Sequence, residues 1–271
     1  MNTNLPKILI LHPSGSVKNK LKSNLEANFD VHFSTVSACI ESPESNLPGK
    51  DYIVVMESAQ SRDLDLIHLV EINGIQISDL ADQCLHYGLK RLIYFADCIS
   101  LSRSVNPTQL AIDAVGDPYF WTDFHESIYQ AVLALFRAEA EGLEIQIIYH
   151  GLCPSLWPQN SFYRDLFLAQ ETQSGGTFPW ASLDFILERL IQTCSVPSID
   201  KNQDLWIEKC YTMEELKVKI KEDSKVYLDQ MDPKEKSGKF LMGFLKNLWS
   251  SSRSRLSLLR QANFGESDKK N

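Results

Sequence analysis

An α/β fold, with a parallel sheet covered on both faces by helices, is the class this sequence predicts. Short apolar runs of strand length alternate with longer stretches of helical period between Lys7 and Tyr149. That alternation builds β-α-β crossovers, whose strands are buried on both faces and read as unbroken hydrophobic runs. Glycines punctuate the pattern: Gly88 and Gly142 each follow a helical stretch, where a left-handed terminal residue favours them. With 271 residues, 44% hydrophobic and 23% charged, the chain can form one large domain with a small appendage and bury a full core.

The elements follow in order. Lys7-Ile8-Leu9-Ile10-Leu11 fits a central strand. Val17 to Phe29 has Val17, Leu21, Leu25 and Phe29 one turn apart, which predicts a helix. Asp30 to Val36 reads as the second strand and Ser37 to Lys50, rich in Ser, Pro, Gly and acids, as a loop. Asp51 to Met56 reads as the next buried strand, Asp63 to Tyr87 as a long helix, and Lys90 to Phe95 as a strand. Asp117 to Glu141 is predicted helical, entered through Pro118 near its first turn. Glu144 to Tyr149 is the strand after it. Beyond Gly151 the pattern loosens: a helix is expected over Trp180 to Thr193, a strand over Trp206 to Lys209, and a charged helix over Met213 to Leu228. Lys234 to Gly238 reads as a polar hinge, Phe240 to Leu259 as an amphipathic stretch, and the final GESDKKN as disordered.

Two blocks carry a resemblance. VEINGIQISDLADQCLHYGLKRLIYF is similar to the N-V-x-G-T helix and G-V-K-R-L-V-Y strand of the extended short-chain dehydrogenase/reductase family, the NAD-dependent epimerase/dehydratase type. HESIYQAVLALFRAEAEGLEIQIIYHGLCP resembles that family's active-site helix, the following strand and its R-P-x-x-V-Y-G-P loop. Similarity is strongest from about Leu66 to Pro158 and weaker from Lys7 to about Val196. The resemblance implies a Rossmann-like doubly wound domain over residues 1–232, with a reduced substrate region over about 151–232. Residues 233–271 then form an appended basic helix and tail.

The family's functional positions are not kept. Its active-site Tyr and Lys fall on Phe124 and Ile128, and its Ser falls on Asp97. A phenyl ring has no hydroxyl proton to transfer, and Ile128 carries no charge to depress a tyrosine pKa. Tyr129 points about 100° away from Phe124 on a helix and is a poor substitute. Glu71 falls near the family's helix Asn. The glycine-rich first turn, T-G-A-T-G-F-I-G, reads here Leu11-His12-Pro13-Ser14-Gly15-Ser16-Val17-Lys18, with one of three glycines left. Those glycines permit a tight turn, backbone approach to the pyrophosphate and close helix–strand packing. A helix N-terminus with Ser14, Gly15 and Ser16 retains weak anion-binding capacity. The segment VHFSTVS ends the second strand without the acid or base that meets the ribose, and 36–51 is too short for the family's next helix and strand. Joint loss at these positions implies a degenerate, catalytically inactive member that serves as a binding, scaffold or regulatory subunit. No cofactor is then expected. The alternative is an NAD(P)-dependent oxidoreductase or epimerase with an atypical site, holding NAD or NADP over Gly15.

Other chemistry is weaker. Asp97, His125, Glu126 and Glu71 are candidates to converge at the strand ends, where an Asp–His pair within hydrogen-bond distance performs acid–base work. A polar pocket is the blander reading. His12 and His150 lack a third metal ligand, and they read as a turn and a loop histidine; no metal is expected. Cys39, Cys84, Cys98, Cys153, Cys194 and Cys210 are scattered without a C-x-x-C pair, which suits reduced thiols in a cytoplasmic protein. The opening MNTNLPKILILHPSGS reads as a first strand, not a signal peptide, and no apolar run approaches the roughly 20 residues of a membrane span.

A net charge of −8 argues against nucleic-acid binding, although Lys and Arg outnumber acids after Pro233. KFLMGFLKNLWSSSRSRLSLLR holds Lys239, Lys246, Arg253, Arg255 and Arg260 and no acid. Helical projection puts Phe240, Leu241, Phe244, Leu245 and Leu248 on one side, with Lys239 and Lys246 opposite. Such a segment packs on its own domain or a second copy, fits a groove on a protein partner, or lies at a membrane surface as a peripheral adaptor through Phe240–Arg260.

Overall fold

The computed structural model describes residues 5–11, 15–56, 66–98, 123–151, 153, 177–196, 203–212, 215–216 and 218–219. The chain runs β1 (Lys7–Leu11), α1 (Gly15–Leu25), β2 (Asp30–Ser34), α2 (Val36–Glu41), α3 (Pro43–Asn46) and β3 (Tyr52–Val55). A long helical unit follows: α4 (Leu66–Val70), a π-helical turn (Glu71–Ile75) and α5 (Gln76–His86). Then come β4 (Arg91–Asp97), α6 (Asp123–Ala140), β5 (Glu144–His150), β6 (Thr177–Trp180), α7 (Leu183–Ser195), β7 (Gln203–Trp206) and β8 (Lys209–Thr212). Six strands form one sheet in the order β2-β1-β3-β4-β5-β7, and β6 pairs with β8 in a second. Every pairing in the large sheet is parallel.

Strand residues alternate between two apolar cores, one on each face. Ile8, Ile10, Val54, Ile93 and Ile148 pack with α1 and α7. Leu9, Leu11, Ile53, Leu92, Ile145 and Ile147 pack with α2, α4, α5 and α6. The strands are therefore covered on both sides, as their unbroken apolar runs require. Gly88 and Gly142 stop α5 and α6 with φ of 65° and 108°, a region L side chains avoid. At the base of the sheet the buried Arg91 pins the end of α7: Nη1 donates to the carbonyls of Thr193 (3.1 Å) and Val196 (3.2 Å), and Nη2 to Glu144 (2.9 Å).

Several expectations are corrected. Ser37 to Lys50 is not a plain loop: Thr35 Oγ1 accepts the Ala38 N–H (3.2 Å) and starts α2, and Pro43 opens α3. The Ser- and Pro-rich composition that marks turns also supplies helix caps. Trp180 ends a strand instead of starting a helix; α7 begins at Leu183, with Ser182 Oγ accepting the Phe185 N–H (3.3 Å). The single strand expected at Trp206 to Lys209 is two, because Trp206 pairs with β5 while Lys209 pairs with Trp180 of β6. The expected long helix over 63–87 contains a π turn. The hinge at 234–238, the amphipathic stretch Phe240–Arg260 and the C-terminal tail lie outside the described residues, as does most of 213–228. Among the described residues, no helix is long and apolar enough to cross a membrane.

Candidate functional site

Open doubly wound sheets bind ligands outside the carboxyl ends of their strands, and that edge collects most of the residues singled out by sequence. At the end of β1 the chain enters α1 through Gly15 and Ser16, which form its first turn; Ser14 and His12 lie outside the described residues. Lys18, on α1, is exposed and its Nζ sits 5.1 Å from the centre of the Phe33 ring of β2. At the end of β2, Ser34 Oγ donates to Asn46 Oδ1 (3.3 Å), while Asn46 Nδ2 donates to the carbonyls of Ala38 (3.1 Å) and Ser42 (2.9 Å). Ser34, Thr35 and Asn46 are thus occupied in holding α2 and α3 against the strand. Because residues 30–56 form only those two short helices between β2 and β3, no strand follows on the far side of β2, which is the sheet edge among the described residues.

Further along, Asp97 ends β4 and is the register partner of His150 at the end of β5; His150 in turn pairs with Trp206 of β7. His150 is a buried strand residue and not the loop histidine its surroundings suggested. Its Nδ1 lies 2.7 Å from the Gly151 carbonyl. A carbonyl only accepts, so Nδ1 carries the proton. Burial is the dominant influence and pushes the pKa down to about 4, leaving a neutral ring at pH 7. Phe95 stacks at 5.9 Å from His150 and 5.5 Å from Trp206. Gly151 then runs so close to β6 that a Cβ there would meet Trp180 backbone atoms at 2.6–2.8 Å.

The active-site helix of the resemblance is α6. Phe124 lies in its first turn and Ile128 one turn later. Ile128 is 1% exposed and belongs to the apolar cluster that holds Tyr94, Ala96, Ala131 and Tyr149. The side chains of Phe124, His125 and Asp97 are outside the described residues. Glu71 is exposed in the π turn and Glu126 is half-buried on α6. What the fold does bring together beside them is Asn73 and Ser127, both buried, with Asn73 Nδ2 donating to Ser127 Oγ at 2.8 Å. One residue on, Gly74 lets the π turn approach α6, since an added Cβ would meet Gln130 Cβ at 3.1 Å. The sequence signal for this contact is the Asn-Gly pair inside the helical pattern of the family block. Among the described residues no group of three metal ligands occurs.

In this fold a dinucleotide lies across the ends of β1 and β2. Among the described residues no strand lies beyond β2 on the adenine side, and the Ser34 and Thr35 hydroxyls at the end of β2 are committed to local hydrogen bonds. The Lys18 chain stands over Phe33, where the resemblance calls for a glycine that allows close packing. The turn after β1 that carries His12, Pro13 and Ser14 lies outside the described residues.

No family model and no curated protein matches the sequence. Solved structures do. The Bordetella bronchiseptica enzyme WbmG in complex with NAD superposes with a TM-score of 0.60 at 11% identity, over 79% of this chain and 77% of that one. UDP-N-acetylglucosamine 4-epimerase from Bacillus cereus gives 0.59 at 12%, over 78% and 79%. dTDP-4-dehydrorhamnose reductase from Bacillus anthracis in complex with NADP gives 0.60 at 11%, over 83% of each chain. Identities this low establish the fold: a Rossmann-like parallel sheet of the type found in epimerase/dehydratase and extended short-chain dehydrogenase/reductase structures.

Proposed function

We propose that this chain keeps the epimerase/dehydratase fold without its chemistry and acts as a binding, scaffold or regulatory subunit. The observation that carries the reading is Ile128. At the position where the resemblance places the lysine, an uncharged side chain is buried in the core. A group sealed there neither lowers a neighbour's pKa nor holds a ribose. The aligned tyrosine position is Phe124, so both halves of the proton-transfer pair are absent together. The poor fit of the nucleotide half points the same way. In this reading the partner is a protein or a second copy, and nucleic acid is disfavoured by the net charge of −8. A reducing, cytoplasmic setting is supported by six cysteines that form no disulfide, five of them buried.

One observation favours a second reading. WbmG and the Bacillus anthracis reductase are complexes with NAD and NADP, and an atypical oxidoreductase or epimerase would keep such a cofactor over Gly15. Isothermal titration of the full chain with NAD and NADP separates the two. The expected result is no saturable heat up to millimolar cofactor, together with no turnover of UDP- or dTDP-sugars. Saturable binding with turnover establishes the second reading.

A further inference from the structure

Among the described residues, β2 has a strand on one side only, β1. The ladder runs in unbroken register from Lys7↔Asp30 to Leu11↔Ser34, so the edge strand is regular and carries no bulge. The Asp30 N–H donates to the Pro6 carbonyl (2.9 Å), which fixes the alternation. Asp30, His32 and Ser34 turn their N–H and C=O toward β1. Val31 and Phe33 turn theirs outward, where no strand lies opposite among the described residues. Sheets blunt such an edge with Pro, Lys or a bulge, and D-V-H-F-S has none of these. The other outer strand, β7, is treated differently. Its Trp206 carbonyl faces β5 and accepts the Gly151 N–H, so Leu205 faces outward, and Asp204 Oδ1 takes the Leu205 N–H at 2.8 Å.

The outward groups are complementary to themselves. In an antiparallel pair, opposed residues that point their N–H and C=O at each other exchange two bonds, and such pairs alternate with closely spaced non-bonded ones. A two-fold axis beside His32 sets Val31 against Phe33 of a second copy, and Phe33 against its Val31, so both pairs form from outward groups. Neighbouring two-fold registers do not. An axis at Val31 calls on the Phe29 N–H, already donated to the Leu25 carbonyl (2.9 Å). An axis at Phe33 calls on the Thr35 carbonyl, already engaged by the Cys39 N–H (3.1 Å). Side chains agree with the His32 register. Val31 and Phe33 pack only in part on the core beneath α1, and across the axis they form aromatic–β-branched pairs that extend it. On the other face each His32, its side chain 40% exposed, lies 3.2 Å from its own Asp30 and meets its counterpart at the axis.

We infer that two copies of this chain associate through β2, antiparallel about His32, and join their parallel sheets into one continuous sheet. A second copy is the occupant because the same five residues supply both halves of the match, in a closed two-fold pairing. The short connection between β2 and β3, with its two small helices, leaves the edge available. The inference rests on the backbone of β2 and not on the state of the strand-end site, so the cofactor titration and the test below fail independently.

Sedimentation velocity of the full chain at micromolar concentrations tests it, and the expected species is a dimer. His32→Lys sets like charges against each other across the axis and should weaken association about tenfold or more. His32→Glu should do the same, and an equimolar mixture of the two variants should restore the dimer. Val31→Pro removes an outward N–H and no bond to β1, which an edge strand tolerates, and should give the monomer. Circular dichroism checks that each variant is folded, and the His32 pair carries the test if the proline variant is not. A wild-type monomer throughout, a dimer that the His32 substitutions leave unchanged, or His32 variants that stay monomeric on mixing overturns the inference.

Discussion

Ile128, His150 and Gly151 show how single residues divide between what a sequence displays and what burial decides. That Ile128 carries no charge is plain in the residue itself, and the structure adds that the position is sealed in the core. His150 is the opposite case. Nothing in its local sequence distinguishes an exposed loop imidazole from one enclosed by Phe95 and Trp206. Its folded pKa of about 4 lies below the ordinary 6.5, so the unfolded chain binds the proton first as pH falls. Stability should be unaffected above about pH 6.5, decline between about 6.5 and 4, and level off below, by about 3 kcal/mol in all. Urea unfolding across that range, compared with His150→Gln, checks it: the variant should lose that part of the pH dependence. Gly151→Ala places a carbon within 2.6–2.8 Å of Trp180 backbone. Backbone cannot swing aside like a side-chain tip, so a loss of about 2 kcal/mol or more is expected in the same measurement.

Contacts between elements explain why the helices sit where they do. Asn73 and Ser127 place a buried hydrogen-bonded pair in the helix interface, which favours a single register because a slip breaks the bond. A double-mutant cycle with Asn73→Ala and Ser127→Ala should give a coupling of about 1 kcal/mol. Arg91 plays a comparable part at the other end of the sheet, where it joins β4 to Glu144 of β5 and to the last carbonyls of α7. Arg91→Met removes the donor to these part-buried acceptors, and about 2 kcal/mol should be lost by urea unfolding. Hydrogen exchange should show residues 190–196 loosening first. Here the sequence was legible only in part. The long helix over Leu66–His86 was evident from its period, but the π turn depends on packing against α6. The short helices α2 and α3 were hidden because Ser, Pro and Asn serve turns and caps alike.

For the whole molecule, the central question is whether the fold has retained a cofactor site. Restoring Phe124→Tyr and Ile128→Lys together should not create one, because the nucleotide half differs independently of α6. The double variant is expected to show no saturable NAD or NADP heat. It should also lose about 3 kcal/mol of stability by urea unfolding, since the new ammonium enters an apolar cluster. Recovery of binding would instead locate the whole defect on α6.

The α/β class, the parallel strands and the uncharged residues at 124 and 128 were determined by the sequence itself. They rest on residue identity and on the period of apolar positions, both of which are local. Tertiary structure alone decided that β2 is the sheet edge among the described residues, that Trp206 and Lys209 belong to different sheets, that His150 is sealed and neutral, and that Asn73 meets Ser127. Each of these depends on which distant segment lies alongside, and proximity across the chain sets burial, hydrogen-bond partners and protonation where local pattern carries no record of them.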